Sequence, residues 1–555
     1  MGEDFVNVGY DYQLTLNHII EHAAKLHPKG EIVYRDIKRE NYKEVYERSK
    51  RLSDALEGLG VTQGTRVVQF EWNTHRHLEI YFGVPSMGAI MHFGNPLLTP
   101  AQIAYIINHA EDEVLLVNKD FLPLIEGIKD KLKTVKHYVI LTDDGMPDTK
   151  LEPVFEYEEL LRSASSNYKY PELNENTVAT LGYTTGTTGD PKGCWFTHRA
   201  ISVHNMVWGA YCFGHRVIQA PYGALLPIVP MFHIHAWCMP YLATFFGIKL
   251  MLGGRPDPNV ILEMIKEERK RVPDQHIFIC GVASVLRMVV YHPEVEKYKD
   301  YLKNTGYIVG GTSFPRGLAE RCIELGIEPL AGWGMTECCP IMAISFPKSH
   351  MKEWSDDKRL DFSLRTGWEV PYSEQRVVDE EGKDVPKDSK TVGEIIYRSP
   401  WATLGYYKDP EKSKDLWRDG WLHSGDLATI DEEENVFIVD RDKDVVKSGG
   451  EWISTLTLED LLSRQKKVQE ACIIGAAHKK YEERPIALVV AKDEYKGKIT
   501  EEELKEHLTK YVEDGTIVKW WIPERFIFVD DIPKTSVGKY DKKVLRPQYR
   551  DVLKG

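Results

Sequence analysis

Between Tyr183 and Gly193 the chain reads Tyr183-Thr184-Thr185-Gly186-Thr187-Thr188-Gly189-Asp190-Pro191-Lys192-Gly193. Gly186, Gly189 and Gly193 let backbone N–H groups approach an anion, the threonine hydroxyls add donors, and Lys192 adds a positive charge. Those are the requirements for cradling a polyphosphate. The string is not the GxxxxGK[ST] loop, because Gly193 follows Lys192 and the glycine spacing differs. Further on, Gly332-Trp333-Gly334-Met335-Thr336-Glu337 offers a flat aromatic face between glycines, which suits a purine, followed by a hard carboxylate oxygen of the kind Mg²⁺ prefers. Asp426 can accept hydrogen bonds from sugar hydroxyls and Arg441 can donate to the same sugar, although both residue types also suit a surface ion pair. Lys539 stands in a glycine-containing turn and by itself suggests only a mobile surface lysine.

Composition narrows what such groups could act on. At 555 residues the chain exceeds one hydrophobic core and should form two or more domains. The 42% hydrophobic and 28% charged content is that of a soluble globular protein. A net charge of -13 disfavours nucleic acid as a partner, since a phosphate backbone rewards Lys and Arg. Eight cysteines without CxxC or Cys/His metal spacing read as reduced, buried thiols. Met1 to Leu14 carries no apolar run, so the expected location is cytoplasmic. The segment from Val217 to Ile248 has no charged residue and is long enough to span a bilayer, but Pro221, Pro227, Pro230 and Pro240 interrupt it. It reads as several short buried elements around an apolar pocket. Peripheral contact with a membrane surface stays open.

The elements that must position these groups follow from the pattern. Tyr42 to Leu59 has helical spacing and stops at Gly60. Short apolar strands are expected at 66–71, 113–117, 138–141, 178–181, 277–280 and 307–309, separated mostly by helices, which argues for α/β layers with largely parallel sheets. One strand runs into the phosphate loop and a helix is expected from His198. After about Gly367 the texture changes to shorter strands and acidic turns. The charged run Asp440-Arg441-Asp442-Lys443-Asp444 reads by itself as a solvated turn between two apolar strands. The tail beyond it, with a helix at 500–511 and strands at 472–474, 486–490 and 525–529, suffices for a small α+β domain. The boundary is placed at Lys443, giving domains 1–442 and 443–555.

Five strings occur in register: the phosphate loop, Gly332 to Glu337, Trp421-Leu422-His423-Ser424-Gly425-Asp426 with Asp440-Arg441, Lys447-Ser448-Gly449-Gly450-Glu451-Trp452-Ile453-Ser454, and Pro533 to Lys539. In this the chain resembles the adenylate-forming superfamily of acyl-CoA synthetases, luciferases and adenylation domains. The texture of Pro230-Met231-Phe232-His233 and Ala236-Trp237 is most similar to the fatty-acyl-CoA synthetases. The resemblance implies a large domain of layered α/β subdomains with a small β-barrel-like part, and a small mobile α+β lid. It implies an AMP-forming acid–thiol ligase that uses Mg²⁺, with ATP and CoA as co-substrates. Thr184, Thr185, Gly186, Thr187, Thr188, Gly189, Lys192, Gly311 and the Gly332 to Glu337 string would bind the nucleotide, with Asp426 and Arg441 on its ribose. Thr187 and Glu337 would hold the metal. Lys539 would reach both the carboxylate and the α-phosphate, and the catalytic set would be Lys539, Thr187, Glu337 and His233. Lys443 would be a hinge, turning Lys447, Ser448, Gly449, Gly450, Glu451 and Trp452 toward CoA.

The acyl pocket is expected from Val207, Phe232, His233, Trp237, Val282 and Gly311. Amino-acid-activating relatives place an Asp near His233 to pair the substrate ammonium. No such carboxylate is present here, and an unpaired buried ammonium is costly, so an apolar acid is expected, of medium to long chain. Transfer to a carrier-protein thiol, or an aryl or branched acid, are the alternatives. A homodimer stays open.

Overall fold

The computed structural model describes residues 9–184, 190–215, 218–219, 222–441, 444–448, 451–535 and 539–554, without the side chains of Glu451 and Trp452. Their strands form four sheets. In the first, Val154–Glu156, His137–Leu141, Val114–Asn118, Arg66–Phe70, Ile90–Phe93 and Val178–Tyr183 run parallel, and Gly193–Thr197 closes the edge antiparallel. The second sheet has a parallel centre built from Ile327–Gly334, Thr305–Val309, Ile277–Gly281, Ala224–Pro227, Lys249–Leu252 and Glu31–Tyr34. At its ends the pairing turns antiparallel, through Ile341–Ile344 and Trp368–Glu369 on one side and Lys38–Asn41 on the other.

Parallel strands are covered on both faces, so they are written as continuous apolar runs rather than alternating ones. Ile277–Gly281 and Thr305–Val309 are buried at every position. Helices supply the cover. Tyr42–Gly58 starts with a capping box in which Asn41 and Glu44 exchange side-chain to backbone bonds, and Gly60 follows it at φ +89°. The third sheet is antiparallel, built from Glu374–Val378, Gly393–Arg398, Trp421–Ile430, Trp417–Arg418 and Val436–Arg441.

The fourth sheet contains Glu451–Ile453, Val446–Ser448, Glu482–Ala491, Val468–His478 and Arg525–Phe528, packed with helices Thr455–Ser463, Glu501–Glu513 and Lys542–Tyr549. The chain is therefore a large α/β domain followed by a smaller α+β domain. The last strand of the former ends at Arg441 and the first of the latter begins at Val446. Lys443, the expected hinge, lies outside the described residues.

One expectation needs correction. Asp440 is not in a solvated turn: it is 2% exposed, and its Oδ2 accepts bonds from the backbone N and the Oγ1 of Thr455 at 2.9 and 2.5 Å. The helix expected from His198 is present as His198–Gly214, preceded by the strand Gly193–Thr197 and capped by Thr197, whose side chain accepts from Ala200 N. The described part of the uncharged segment contains the short strand Ala224–Pro227, an irregular turn at Ile234–Cys238 and the helix Met239–Phe246. No helix among the described residues is long and apolar enough to cross a membrane. All eight cysteines are buried and free.

Candidate active site

In parallel α/β sheets ligands collect beyond the carboxyl ends of the strands, where loops leave the sheet. The same holds here. A cleft of about 1250 Å³ is lined by the residues that follow those ends: Asn95 after Ile90–Phe93, Thr184 after Val178–Tyr183, Val282 after Ile277–Gly281, and Gly310 and Gly311 after Thr305–Val309. The antiparallel sheet contributes His423, Ser424, Gly425 and Arg441, and the small domain contributes Thr535 and Lys539.

The phosphate loop is closed at its base. Thr184 N donates to the carbonyl of Lys192 at 2.9 Å, and Lys192 N donates to Thr184 Oγ1 at 3.3 Å. The intervening Thr185, Gly186, Thr187, Thr188 and Gly189 lie outside the described residues. The Lys192 ammonium sits 4.8 Å from the centre of the Tyr406 ring, a cation–π contact. The Tyr406 hydroxyl in turn donates to Glu337 Oε1 at 2.7 Å. Burial and the neighbouring Glu337 charge push the phenol's ionisation far up, so Tyr406 stays a donor. Sequence reading missed Tyr406, because nothing local ties it to a carboxylate 69 positions away.

Glu337 lies on the single turn Thr336–Cys338 and is mostly buried. With Oε1 held by Tyr406, Oε2 is the atom left for a cation. One hard carboxylate oxygen in a cleft that Thr184 and Lys192 also line fits Mg²⁺, which takes few protein ligands besides phosphate and water. Thr187, the other expected ligand, is outside the described residues.

Trp333 is the residue expected to offer its face to a purine. Its ring borders the cleft but is only 7% exposed, and its Nε1–H donates to Asp426 Oδ2 at 2.9 Å. Asp426 Oδ1 meets Arg441 Nε at 3.0 Å. The two carboxylate oxygens offer about four acceptor sites, so Asp426 keeps capacity for sugar hydroxyls while the two donors fix its plane. The Asp426 charge holds the Arg441 guanidinium firmly protonated. The small domain closes the other side. A Cβ built on Gly311, whose φ is +72°, would stand 3.9 Å from Lys539 Cε, so the lysine stem crosses directly above a glycine.

These arrangements match a known family. The family model of the AMP-binding enzyme matches residues 20–407, and that of the AMP-binding enzyme C-terminal domain matches residues 457–539. The chain belongs to the AMP-binding enzyme family. It is 40% identical to a long-chain-fatty-acid–CoA ligase of Thermus thermophilus over 99% of this chain and 98% of that one. It is 33% identical to a medium-chain-fatty-acid–CoA ligase of Ectopseudomonas oleovorans over 98% and 97%. The crystal structure of an anthranilate CoA ligase in complex with anthranoyl-AMP superposes with a TM-score of 0.83 at 22% identity, covering all of both chains.

As in an AMP-binding enzyme with a second substrate, the cleft has an apolar side. Phe232, His233, Trp237, Val282 and Gly311 line it, together with residues the sequence did not single out, including Trp72, Phe93, Val285, Ile308 and Ile341. Val207 is not among them: it is 9% exposed on the helix His198–Gly214 and packs in the core instead. Burial pushes His233 down to about 4, so its imidazole is neutral near pH 7. His235, Ala236, Trp237 and Cys238 are all left-handed, with φ of 51°, 43°, 54° and 66°. Non-glycine residues rarely adopt this region, at a cost of ~1–2 kcal/mol each. His235 Nε2 bonded to Thr180 Oγ1 at 2.9 Å and the buried Ala236 and Cys238 hold the turn. The turn lays the Trp237 ring against Gly310, where a Cβ would come within 2.9 Å of Cη2.

Of the expected CoA residues, only Lys447 and Ser448 are fully described. Lys447 and Ser448 lie on Val446–Ser448 and are not among the lining residues, and Ser448 Oγ accepts from Arg484 Nη1 at 3.3 Å. Gly449 and Gly450 are outside the described residues, and the side chains of Glu451 and Trp452 are not described.

Proposed function

We propose that the protein is an ATP-dependent fatty-acid–CoA ligase acting through an acyl-adenylate. The observation that carries this is one cleft whose polar side holds Thr184, Lys192, Glu337, Arg441 and Lys539, with Asp426 paired to Arg441, and whose other side around Phe232, His233 and Trp237 is mainly apolar, the Asp120 carboxylate there being engaged by Trp72 Nε1 at 3.0 Å. The fatty-acid ligases among the relatives support the choice of substrate.

In the first half-reaction a carboxylate oxygen attacks the α-phosphorus and pyrophosphate leaves. Two anions must meet, and the Lys539 ammonium offsets their repulsion and stabilises the charge of the transition state. Lys192 and the threonine hydroxyls hold the leaving phosphates, while Asp426 and Arg441 fix the ribose and so the direction of attack. When bound, Mg²⁺ would neutralise phosphate charge beside Glu337. In the second half-reaction the CoA thiolate attacks the acyl carbon and AMP leaves. No protein nucleophile is required, and the buried thiols, with ionisation pushed up by burial, supply none.

In the described arrangement Lys539 stands in the cleft and Lys447 does not. Thiolation is therefore assigned to a second arrangement, reached by rotation of the small domain about Lys443, in which the 447–452 hairpin replaces Lys539. Lys443→Pro should then spare one half-reaction and impair the other. The neutral, apolar side of the cleft favours medium to long chains, because each buried CH₂ contributes ~0.8 kcal/mol. The test of the whole reading is release of pyrophosphate and AMP from Mg-ATP with acids from acetate to palmitate and benzoate, with and without CoA. AMP that requires both a fatty acid and CoA supports it. Pyrophosphate release indifferent to CoA would shift the acceptor to a carrier protein, and silence with every acid would refute the substrate class.

A further inference from the structure

A lysine that must reach a reacting phosphorus on a four-carbon stem is only as well placed as its backbone. The segment that carries Lys539 is tied at its base on both sides. Lys534 and Tyr540 pair as an antiparallel bridge, Thr535 N donates to Lys539 O at 2.7 Å, and Asp541 N donates to Pro533 O at 2.8 Å. Each arm of this hairpin then ends on a lysine held by a buried glutamate. Lys534 Nζ lies 2.9 Å from Glu470 Oε1 on the first arm. On the second, Lys542 Nζ lies 2.9 Å from Glu459 Oε1 and also donates to Thr455 Oγ1.

The second clamp reaches further. Glu459 Oε1 also accepts from Ile473 N at 2.9 Å, which pins it to the strand Val468–His478 of the small domain. Thr455 N and Oγ1 both donate to Asp440 Oδ2, and Asp440 Oδ1 accepts from Arg441 N at 2.8 Å. Arg441 is the partner of Asp426 in the cleft. A continuous run of bonds therefore leads from the ribose side of the cleft through Asp440 and Thr455 to Lys542, the first residue of Lys542–Tyr549, shortly after Lys539.

A buried ion pair is a poor way to gain stability, since removing two charges from water costs about what their attraction returns, and apolar side chains would fill the space as well. Its strength is geometric: it fixes two backbones in one relation. We propose that Lys542, paired with Glu459, is a positioning residue for the adenylation step, holding the backbone of Lys539 in register with the ribose site, and that the Glu470–Lys534 pair does the same from the opposite arm. This rests on the role given to Lys539 above. Misplacing a reacting group by ~1 Å can cost about a hundredfold in rate, so the loss should fall on turnover and on one half-reaction only.

The test measures the two half-reactions separately: fatty-acid-dependent exchange of pyrophosphate into ATP for adenylation, and acyl transfer from chemically prepared acyl-AMP to CoA. Lys542→Met should lower the adenylation kcat by at least about tenfold with KM for ATP within about threefold of the parent. Acyl transfer should be unchanged, and Lys542→Arg, which keeps the charge, should recover most of the adenylation rate. Should Lys542→Met fail to fold, Glu470→Gln asks the same question from the other arm and should show the same split. Equal loss of both half-reactions, or adenylation unchanged, overturns the proposal. Lys539→Ala run alongside separates the layers: if it abolishes adenylation while Lys542→Met and Glu470→Gln leave it intact, only the clamp is wrong, whereas adenylation that survives Lys539→Ala removes the basis of both readings.

Discussion

Tyr406→Phe deletes one hydroxyl and leaves the ring beneath Lys192 in place, so it isolates the 2.7 Å bond to Glu337. The acceptor is a mostly buried carboxylate, and a hydrogen bond to a charged group is worth about 1.5–3 kcal/mol. Without the hydroxyl, Glu337 Oε1 loses its donor and the carboxylate is free to rotate away from the orientation in which Oε2 would be available to a cation. Converted at ~1.36 kcal/mol per decade, the change should lower kcat/KM for Mg-ATP by ~10- to ~100-fold and raise the metal concentration needed for half-maximal rate. The assay is pyrophosphate release at saturating fatty acid across a Mg²⁺ titration, with Mn²⁺ binding followed by electron paramagnetic resonance as a readout independent of turnover. Tyr406→Leu removes the ring contact as well and should cost a further factor of about 2–30, expressed in KM for ATP. A Tyr406→Phe protein with rate and metal affinity within about twofold of the parent would refute the claim that this bond orients Glu337.

Three further outcomes follow. Asp426→Ala leaves the Trp333 N–H and the Arg441 guanidinium without their partner and should raise KM for ATP by at least about tenfold while the acid's KM is little changed. Gly310→Val should displace the Trp237 ring, 2.9 Å from the new Cβ, and cut activity most for the longest acids, as read from the chain-length profile. The buried His77, His198, His204, His233, His235 and His276 are pushed by burial down to about 3–4 from 6.5. They stay neutral in the folded chain and protonate on unfolding, so their contribution is present above pH 6.5 and is lost as pH falls toward 4. His75, His109, His215 and His507 are pushed down as well, whereas the carboxyls pushed up by burial, Glu40 and Glu71 to about 7 and 8 and also Glu79, Asp112, Glu369 and Glu459, act in the opposite sense but are fewer. Each net proton is worth ~1.4 kcal/mol per pH unit, and Tm should therefore fall between pH 6.5 and 5; a rise in Tm over that interval would contradict the histidine burial.

What the sequence made legible was what is local. The strands of the parallel sheets stand in the chain as short apolar runs, and Thr184, Lys192, Glu337, Arg441 and Lys539 border one cleft, with Asp426 paired to Arg441. Contacts between distant strings were not legible. Trp333 as an indole donor to Asp426, 93 positions away, looks in the sequence like a free aromatic face. Asp440 looks like a solvated charge because its partner, Thr455, comes from the following domain. Val207 sits in the core because the helix turns it away from the cleft, which the phase of an apolar helix does not reveal. The left-handed turn at His235–Cys238 contains no glycine and gave no local signal, since tertiary packing imposes it.

The central claim, that the carboxylate is activated by joining it to AMP, is tested most directly by isotope transfer. A fatty acid labelled with oxygen-18 in its carboxylate is converted to acyl-CoA with Mg-ATP and CoA, and the nucleotide and pyrophosphate are analysed by mass spectrometry. Attack by a carboxylate oxygen on the α-phosphorus, followed by thiolate cleavage of the acyl–oxygen bond, leaves one labelled oxygen in AMP and none in pyrophosphate. Label in phosphate with ADP as the nucleotide product, or AMP free of label, would contradict the account.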